Sequence, residues 1–252
     1  MRMSNVINKG SCSIALVGSL GIFLGLVDLP LGKANAASVV VQNEAFGNSY
    51  GDWSAMWWQW TLSIPAATNP NFGGDCTQGQ SGNVWFLAGS FDSIPAIRNC
   101  VIPAPKPPKK PVNTVFFPMI NAIGFKAFGY QTLNDLRQQA PPRGANLDNV
   151  TKLVCTIDGT DCATLCQTDD GSSCPTTDLF AFRATSPSFS VLAPAQGVLP
   201  PGMLTGPGSG DPLVSDGYWM LVTLPSGKHT IHFGGTTADG FVEDVTYNLT
   251  VP

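Results

Sequence analysis

Glycine and proline interrupt this chain so often that most of it can form only short strands and turns. Its 252 residues include 27 glycines and 21 prolines. Proline lacks the amide hydrogen that a helix or sheet interior needs, and glycine loses the most backbone freedom on ordering. Between the interruptions lie brief apolar or aromatic runs, the pattern of buried strands. Residues 39–41 (VVV), 84–88 (VWFLA), 114–117 (TVFF), 179–182 (LFAF) and 218–224 (YWMLVTL) are such runs. The C-terminus is the clearest case. There Val245, Tyr247, Leu249 and Val251 alternate with Asp244, Thr246, Asn248 and Thr250, which predicts one core face and one wet face.

One longer stretch has a different period. Trp53, Met56, Trp57, Trp60 and Ile64 recur at helical spacing, so they share one face of a helix spanning about 49–64. Ser49 and Asp52 form its start signal, because the hydroxyl satisfies a free amide and the carboxylate suits the helix N-terminus. Pro65 ends it. A second, shorter helix is predicted from Thr132, with Asp135 three residues on, to about Gln139, before Pro141 and Pro142. The fold expected is mainly β: an antiparallel β-sandwich or jelly-roll-like domain with one packed aromatic helix and a short second helix. Residues 103–111 (PAPKPPKKP) read as a basic proline-rich loop and 197–212 as a second connection.

The N-terminus reads as an export signal. Arg2 and Lys9 precede an uncharged stretch whose apolar heart runs from Ile14 to Val27, and Ala34-Asn35-Ala36 supplies a small-residue cleavage site. The stretch is short for a membrane span. Cleavage after Ala36 leaves a single domain of residues 37–252 with no transmembrane helix, in a secreted, periplasmic or cell-surface setting. Six of the seven cysteines remain: Cys76, Cys100, Cys155, Cys162, Cys166 and Cys174. In an exported protein an even number implies disulfides. The net charge is -4 for the whole chain, and charged residues make up only 12%. An acidic chain lacks the footprint that phosphate backbones require, so nucleic acid is not an expected partner.

Several blocks carry a resemblance. The stretch 50–70 (YGDWSAMWWQWTLSIPAATNP), 79–89 (GQSGNVWFLAG), Arg98-Asn99-Cys100, Phe116-Phe117-Pro118, 186–189 (SPSF) and 216–235 (DGYWMLVTLPSGKHTIHFGG) together resemble a family of exported bacterial proteins. That family has no assigned function, so the resemblance implies export and transfers no catalytic residue. The segment 155–174 departs from the pattern.

Candidate chemistry is sparse. Cys76 and Cys100 flank the run at 84–88 and suit a structural bridge. Asp158-Gly159 is a two-residue hairpin signal that places Ile157 opposite Thr160 and Cys155 opposite Cys162. A Cys155–Cys162 bridge leaves Cys166 with Cys174, although four cysteines allow three pairings. The segment 155–174 then reads as a disulfide-stapled insert. Its spacings match no zinc pair. Asp158, Asp161, Asp169, Asp170 and Asp178 crowd it, and calcium favours such oxygens on a flexible loop, but the order is not that of an EF-hand; solvated acids are the plainer reading. No other cofactor is implied.

His229 and His232 are the only histidines. On a strand they point to opposite faces, which spoils a shared metal site. Either can serve as a base oriented by Asp216, Glu243 or Asp244, yet no G-x-S-x-G elbow accompanies them. The two glutamates, Glu44 and Glu243, give no spacing for a glycosidase pair. The aromatics are the stronger lead. Trp58 lies off the helical stripe, and with Tyr50, Trp85, Tyr218 or Trp219 it can form a flat surface for stacking sugar rings. The sequence therefore points to an exported binding or cell-surface module whose ligand is a glycan or another envelope component. The alternatives are a secreted hydrolase acting on a glycan, ester or amide through Asp216, His229 or Glu243, and a structural envelope or matrix component.

Overall fold

The computed structural model describes residues 37–40, 46–104, 113–125, 132–139, 144–167, 178–199 and 212–252. The expected leader at 1–36, most of the basic loop at 103–111, and Asp169, Asp170 and Cys174 lie outside these residues. The described chain is mainly β, arranged as two sheets and a helix that together form three layers.

The first sheet is built on two long strands, β4 (Thr114–Phe125) and β9 (Leu213–Thr223), paired antiparallel along their whole length. Short strands complete it: β1 (Ser38–Val40), β2 (Trp85–Phe86), β7 (Cys166–Gln167) and β8 (Arg183–Thr185), in the order β2-β4-β9-β1-β7 with β8 also on β9. The second sheet has the order β3-β11-β10-β5-β6, from β3 (Ala96–Val101), β5 (Val150–Ile157), β6 (Thr160–Asp161), β10 (Gly227–Thr237) and β11 (Val242–Val251). The long pairings are antiparallel, as expected of a sandwich. Three pairings are parallel, β1 with β7, β2 with β4 and β3 with β11, so both sheets are mixed.

Adjacent residues of β4 set the layering, because successive side chains of a strand point to opposite faces. Phe117 stacks on Phe233 of β10 at 4.6 Å between the sheets, and Phe233 continues to Tyr247 of β11. Phe116 faces the other way and stacks on Trp219 at 5.1 Å beneath helix α1 (Tyr50–Ser63). That helix lays Tyr50, Trp53 and Trp57 on the pair, and the Leu221 amide donates to the Tyr50 hydroxyl at 3.0 Å. The capping box is present as predicted. Ser49 Oγ accepts from the Asp52 amide at 3.1 Å while Asp52 accepts from the Ser49 amide at 3.0 Å. Helix α2 (Leu133–Gln138) has the same device in Thr132 and Asp135.

Some elements depart from expectation. The run at 179–182 is a 3₁₀ turn rather than a strand, because the Asp178 carboxylate caps the Phe180 amide at 2.9 Å and winds the chain before β8 begins. Strand β4 runs eight residues past Phe117. Pro118 is tolerated in it because the register with β9 shifts between Pro118 and Ile120, and such a bulge does not need every amide. Strand β2 keeps only Trp85 and Phe86 of the run at 84–88, since the chain leaves the ladder after the Leu87 amide, which still donates to the Phe116 carbonyl at 3.0 Å.

The hairpin prediction holds in detail. Asp158 and Gly159 both adopt positive φ, the backbone of a two-residue hairpin turn, with Ile157 opposite Thr160. Cys155–Cys162 and Cys76–Cys100 are both disulfides. Cys166 is disulfide-bonded too. The stapled segment does not begin as an insert, however: Cys155 is a buried residue of β5 and sits opposite Phe233 of β10. Residues 35–252 form one compact unit. No helix among the described residues is long and apolar enough to cross a membrane.

Candidate binding cavity

Leu87–Ser90 leaves β2 and crosses toward the second sheet, and four side chains hold its backbone. Trp57 Nε1 of α1 donates to the Leu87 carbonyl at 2.8 Å. The Arg98 guanidinium of β3 donates to the Ala88 carbonyl at 2.6 Å and to the Asn71 carbonyl at 3.1 Å. From β11, the Tyr247 hydroxyl accepts from the Ala88 amide at 2.9 Å, and Glu243 Oε1 accepts from the Ser90 amide at 3.0 Å. The fit is close at position 89, where a Cβ would stand 2.1 Å from Glu243 Oε1, so a larger residue there has to displace the carboxylate. Glu243 is fully buried, and desolvation pushes its carboxyl up to about 8 against the partial relief given by the Ser90 amide and the Arg98 charge.

This strap delivers Ser90 and Phe91 to the wall of a cavity of about 470 Å³. The opposite wall is the second half of β4, which β2 leaves uncovered: β2 pairs only with Val115 and Phe116. Ile120, Ala122, Ile123 and Phe125 line that side, and Leu147, Val198 and Phe241 close the rest. The cavity is thus mainly apolar. Its polar members are Ser90, Asn121, Asn149, Thr237 and Asp239.

Trp58 is the one aromatic candidate from the sequence that reaches this cavity. It is 3% exposed, so it does not form a surface platform. Lying off the α1 stripe, it is covered instead by Phe91, stacked at 6.0 Å with an interplanar angle of 21°. Trp85, Tyr218, Trp219 and Tyr50 are also buried, so the expected flat aromatic surface is absent. Three of them have a specific cover: Phe116 stacks on Trp219, Phe180 and the Arg183 guanidinium close over Tyr218, and Tyr50 lies between α1 and the sheet.

Buried polar atoms without partners gather at the cavity. Trp58 Nε1, Asn121 Nδ2 and Asn149 Oδ1 are three of the six such side-chain atoms among the described residues, and all three belong to cavity-lining residues. Each unmet group costs about 1–3 kcal/mol, a cost that a ligand or an ordered water offsets.

The hydrolase candidates are not brought together. Asp216 is committed to structure: it accepts from Arg183 Nε at 3.0 Å, Arg183 Nη2 at 2.6 Å and the Leu147 amide at 3.0 Å, while Arg183 also bridges Asp148. The neighbouring guanidinium holds the Asp148 carboxyl below its ordinary value. Glu243 faces Gly235 and His229 faces Leu249, so the two sit six residues apart along β10, about 20 Å at strand rise. His229 bonds Asp158 at 2.8 Å and the Pro225 carbonyl at 2.9 Å, and His232 bonds Asp244 at 2.9 Å. These are carboxylate contacts, but neither histidine lines the cavity.

The calcium candidates within the described residues are similarly occupied. Asp158 holds the Thr230 amide as well as His229, Asp161 caps the Ala163 amide, and Asp178 caps Phe180. Among the described residues no group of three or more His, Cys, Asp or Glu could hold a metal. Sequence reasoning missed Phe91, Leu147, Asn149 and Phe241, which come from loops without periodicity. Asn121, a lone amide within an apolar strand, was the available signal.

Compared with known proteins, the chain matches no described protein family, no curated protein and no solved structure. The cavity must therefore be read from its own geometry.

Proposed function

We propose that the protein is an exported binding module whose ligand is a small, mainly apolar molecule held in the cavity beside β4. The observation that carries this reading is the cavity itself, about 470 Å³ of largely apolar wall with three unmet polar atoms on its lining residues. Binding sites for small molecules are of this size and combine apolar walls with a few polar groups. Donors on Trp58 and Asn121 favour a ligand that carries an acceptor, such as a carbonyl, at one end. The disulfides support an oxidising compartment.

The test is titration of the purified protein with an apolar fluorophore, anilinonaphthalene sulfonate, followed by competition with small-molecule and glycan libraries. Apolar small molecules should displace the probe. Trp58→Ala should weaken binding through loss of the aromatic wall, and Ala122→Leu through loss of volume, each by about tenfold or more. Probe binding unchanged in both variants, or displacement by glycans alone, would count against the reading.

A further inference from the structure

Strand β3 forms an outer edge of the second sheet, and that edge is complementary to itself. We propose that two copies of this chain pair through β3, antiparallel and centred on Asn99, joining their five-stranded sheets into one.

The parity of the strand is set by the Ile102 amide, which donates to the Thr250 carbonyl of β11 at 2.9 Å. Backbone groups alternate sides along a strand, so those of Arg98 and Cys100 also face β11, and those of Ile97, Asn99 and Val101 face outward. No strand pairs with them among the described residues. The same three side chains are exposed, Ile97 at 76% and Val101 at 62%. Edge strands are usually guarded by charge, proline or a bulge. None of these three residues is charged, and the guards stand just beyond them, at Pro95 and Pro103.

The segment 95–103 reads PAIRNCVIP, close to a palindrome about Asn99. Pairing centred there sets Asn99 against Asn99 of the second copy, and Ile97 against Val101 of the second copy, twice over. All three pairs fall in the hydrogen-bonded class, in which opposed residues exchange both bonds, giving about six main-chain bonds. Ile97 and Val101 then become cross-strand apolar neighbours on one face. Pro95 falls opposite Pro103 of the second copy, where neither has an amide to lose. Sliding the register by two residues sets a proline against Ile97 or Val101 and breaks both Ile97–Val101 apolar pairs, so the side chains select the centred register. The two-fold symmetry closes the assembly at a dimer.

The edge is already ordered, which lowers the cost of pairing. The Cys76–Cys100 disulfide pins β3 from within, and Arg98 ties it to Ala88. A ladder this short buries less than a standard interface, so the expected dissociation constant is micromolar.

Sedimentation of the full purified chain across the micromolar range should show a reversible monomer–dimer equilibrium. Amides of Ile97, Asn99 and Val101 should gain hydrogen-exchange protection with concentration. Ile97→Lys with Val101→Lys should give a monomer, as should Ile97→Glu with Val101→Glu, both with wild-type circular dichroism because the positions are exposed. Mixing the two charged variants should restore a dimer, since lysine then opposes glutamate. A wild-type chain that stays monomeric throughout the range overturns the proposal. So does a dimer that survives the lysine pair, or charged variants that fold but fail to associate when mixed.

Discussion

Glu243 illustrates how one residue can couple ionisation to stability, through a buried carboxyl that holds the Ser90 amide. Its carboxyl titrates near 8 in the folded chain and near 4.5 in the open chain, so the folded state holds the extra proton between those values. The contribution of the neutral carboxyl to stability is full below about 4.5 and is lost as the pH rises through about 8. Glu243→Gln removes the titration while keeping an oxygen for the Ser90 amide. The variant should match the wild type near pH 5 and exceed it by a few kcal/mol near pH 9, as read from urea unfolding at each pH. Equal pH dependence in the two proteins would show that Glu243 ionises freely. The same residue shows where sequence reading stops. As a site candidate Glu243 was visible, since the chain has few acids on strands, but its role depends on a Gly89 contact that links positions 154 residues apart.

Elements were legible where their signals are local. Helix α1 carries its stripe, its capping box and its terminating proline within seventeen residues; the structure reproduces the cap and the end, but burial is not confined to the stripe, since Met56 is only half-buried while Ala55, Trp58, Thr61 and Leu62 are buried as well. The β5–β6 hairpin follows from Asp158-Gly159 in the same way, and with it the Cys155–Cys162 bridge. Legibility fails where tertiary contacts choose between local options. The run at 179–182 has strand composition, yet the Asp178 cap selects a 3₁₀ turn. Trp58 lies off the stripe, which leaves it available to a surface, but Phe91, from a loop with no periodic signal, covers it. The cavity was invisible for that reason: its walls come from β4, the strap and three loops, none of which announces its neighbours. The cap on α1 allows a direct check. Ser49→Ala removes the acceptor of the Asp52 amide and should cost about 1 kcal/mol, seen as a lower urea midpoint with an unchanged slope.

At the scale of the molecule, scarce charge is matched, among the described residues, by scarce ion pairing. Among the described residues Arg183 makes both guanidinium–carboxylate bridges, and cohesion rests on stacked aromatics and disulfides. The two resolved disulfides act at different ranges. Cys155–Cys162 closes a hairpin that its turn already specifies, across a separation of 7 residues. Cys76–Cys100 spans 24 residues and joins the segment after α1, where Trp60 Nε1 donates to the Gln78 carbonyl, to β3 of the far sheet. Chain-entropy reasoning assigns about 3.5 kcal/mol to the longer closure and about 2.5 kcal/mol to the shorter. Replacing Cys76 and Cys100 by alanine should therefore lower stability by about 1 kcal/mol more than replacing Cys155 and Cys162. It should also weaken probe binding in the cavity, because Cys100 steadies the strand from which Arg98 holds Ala88. The shorter bridge should leave that binding intact. Equal losses of stability and of binding in the two double variants would mean that the layers are held by packing alone.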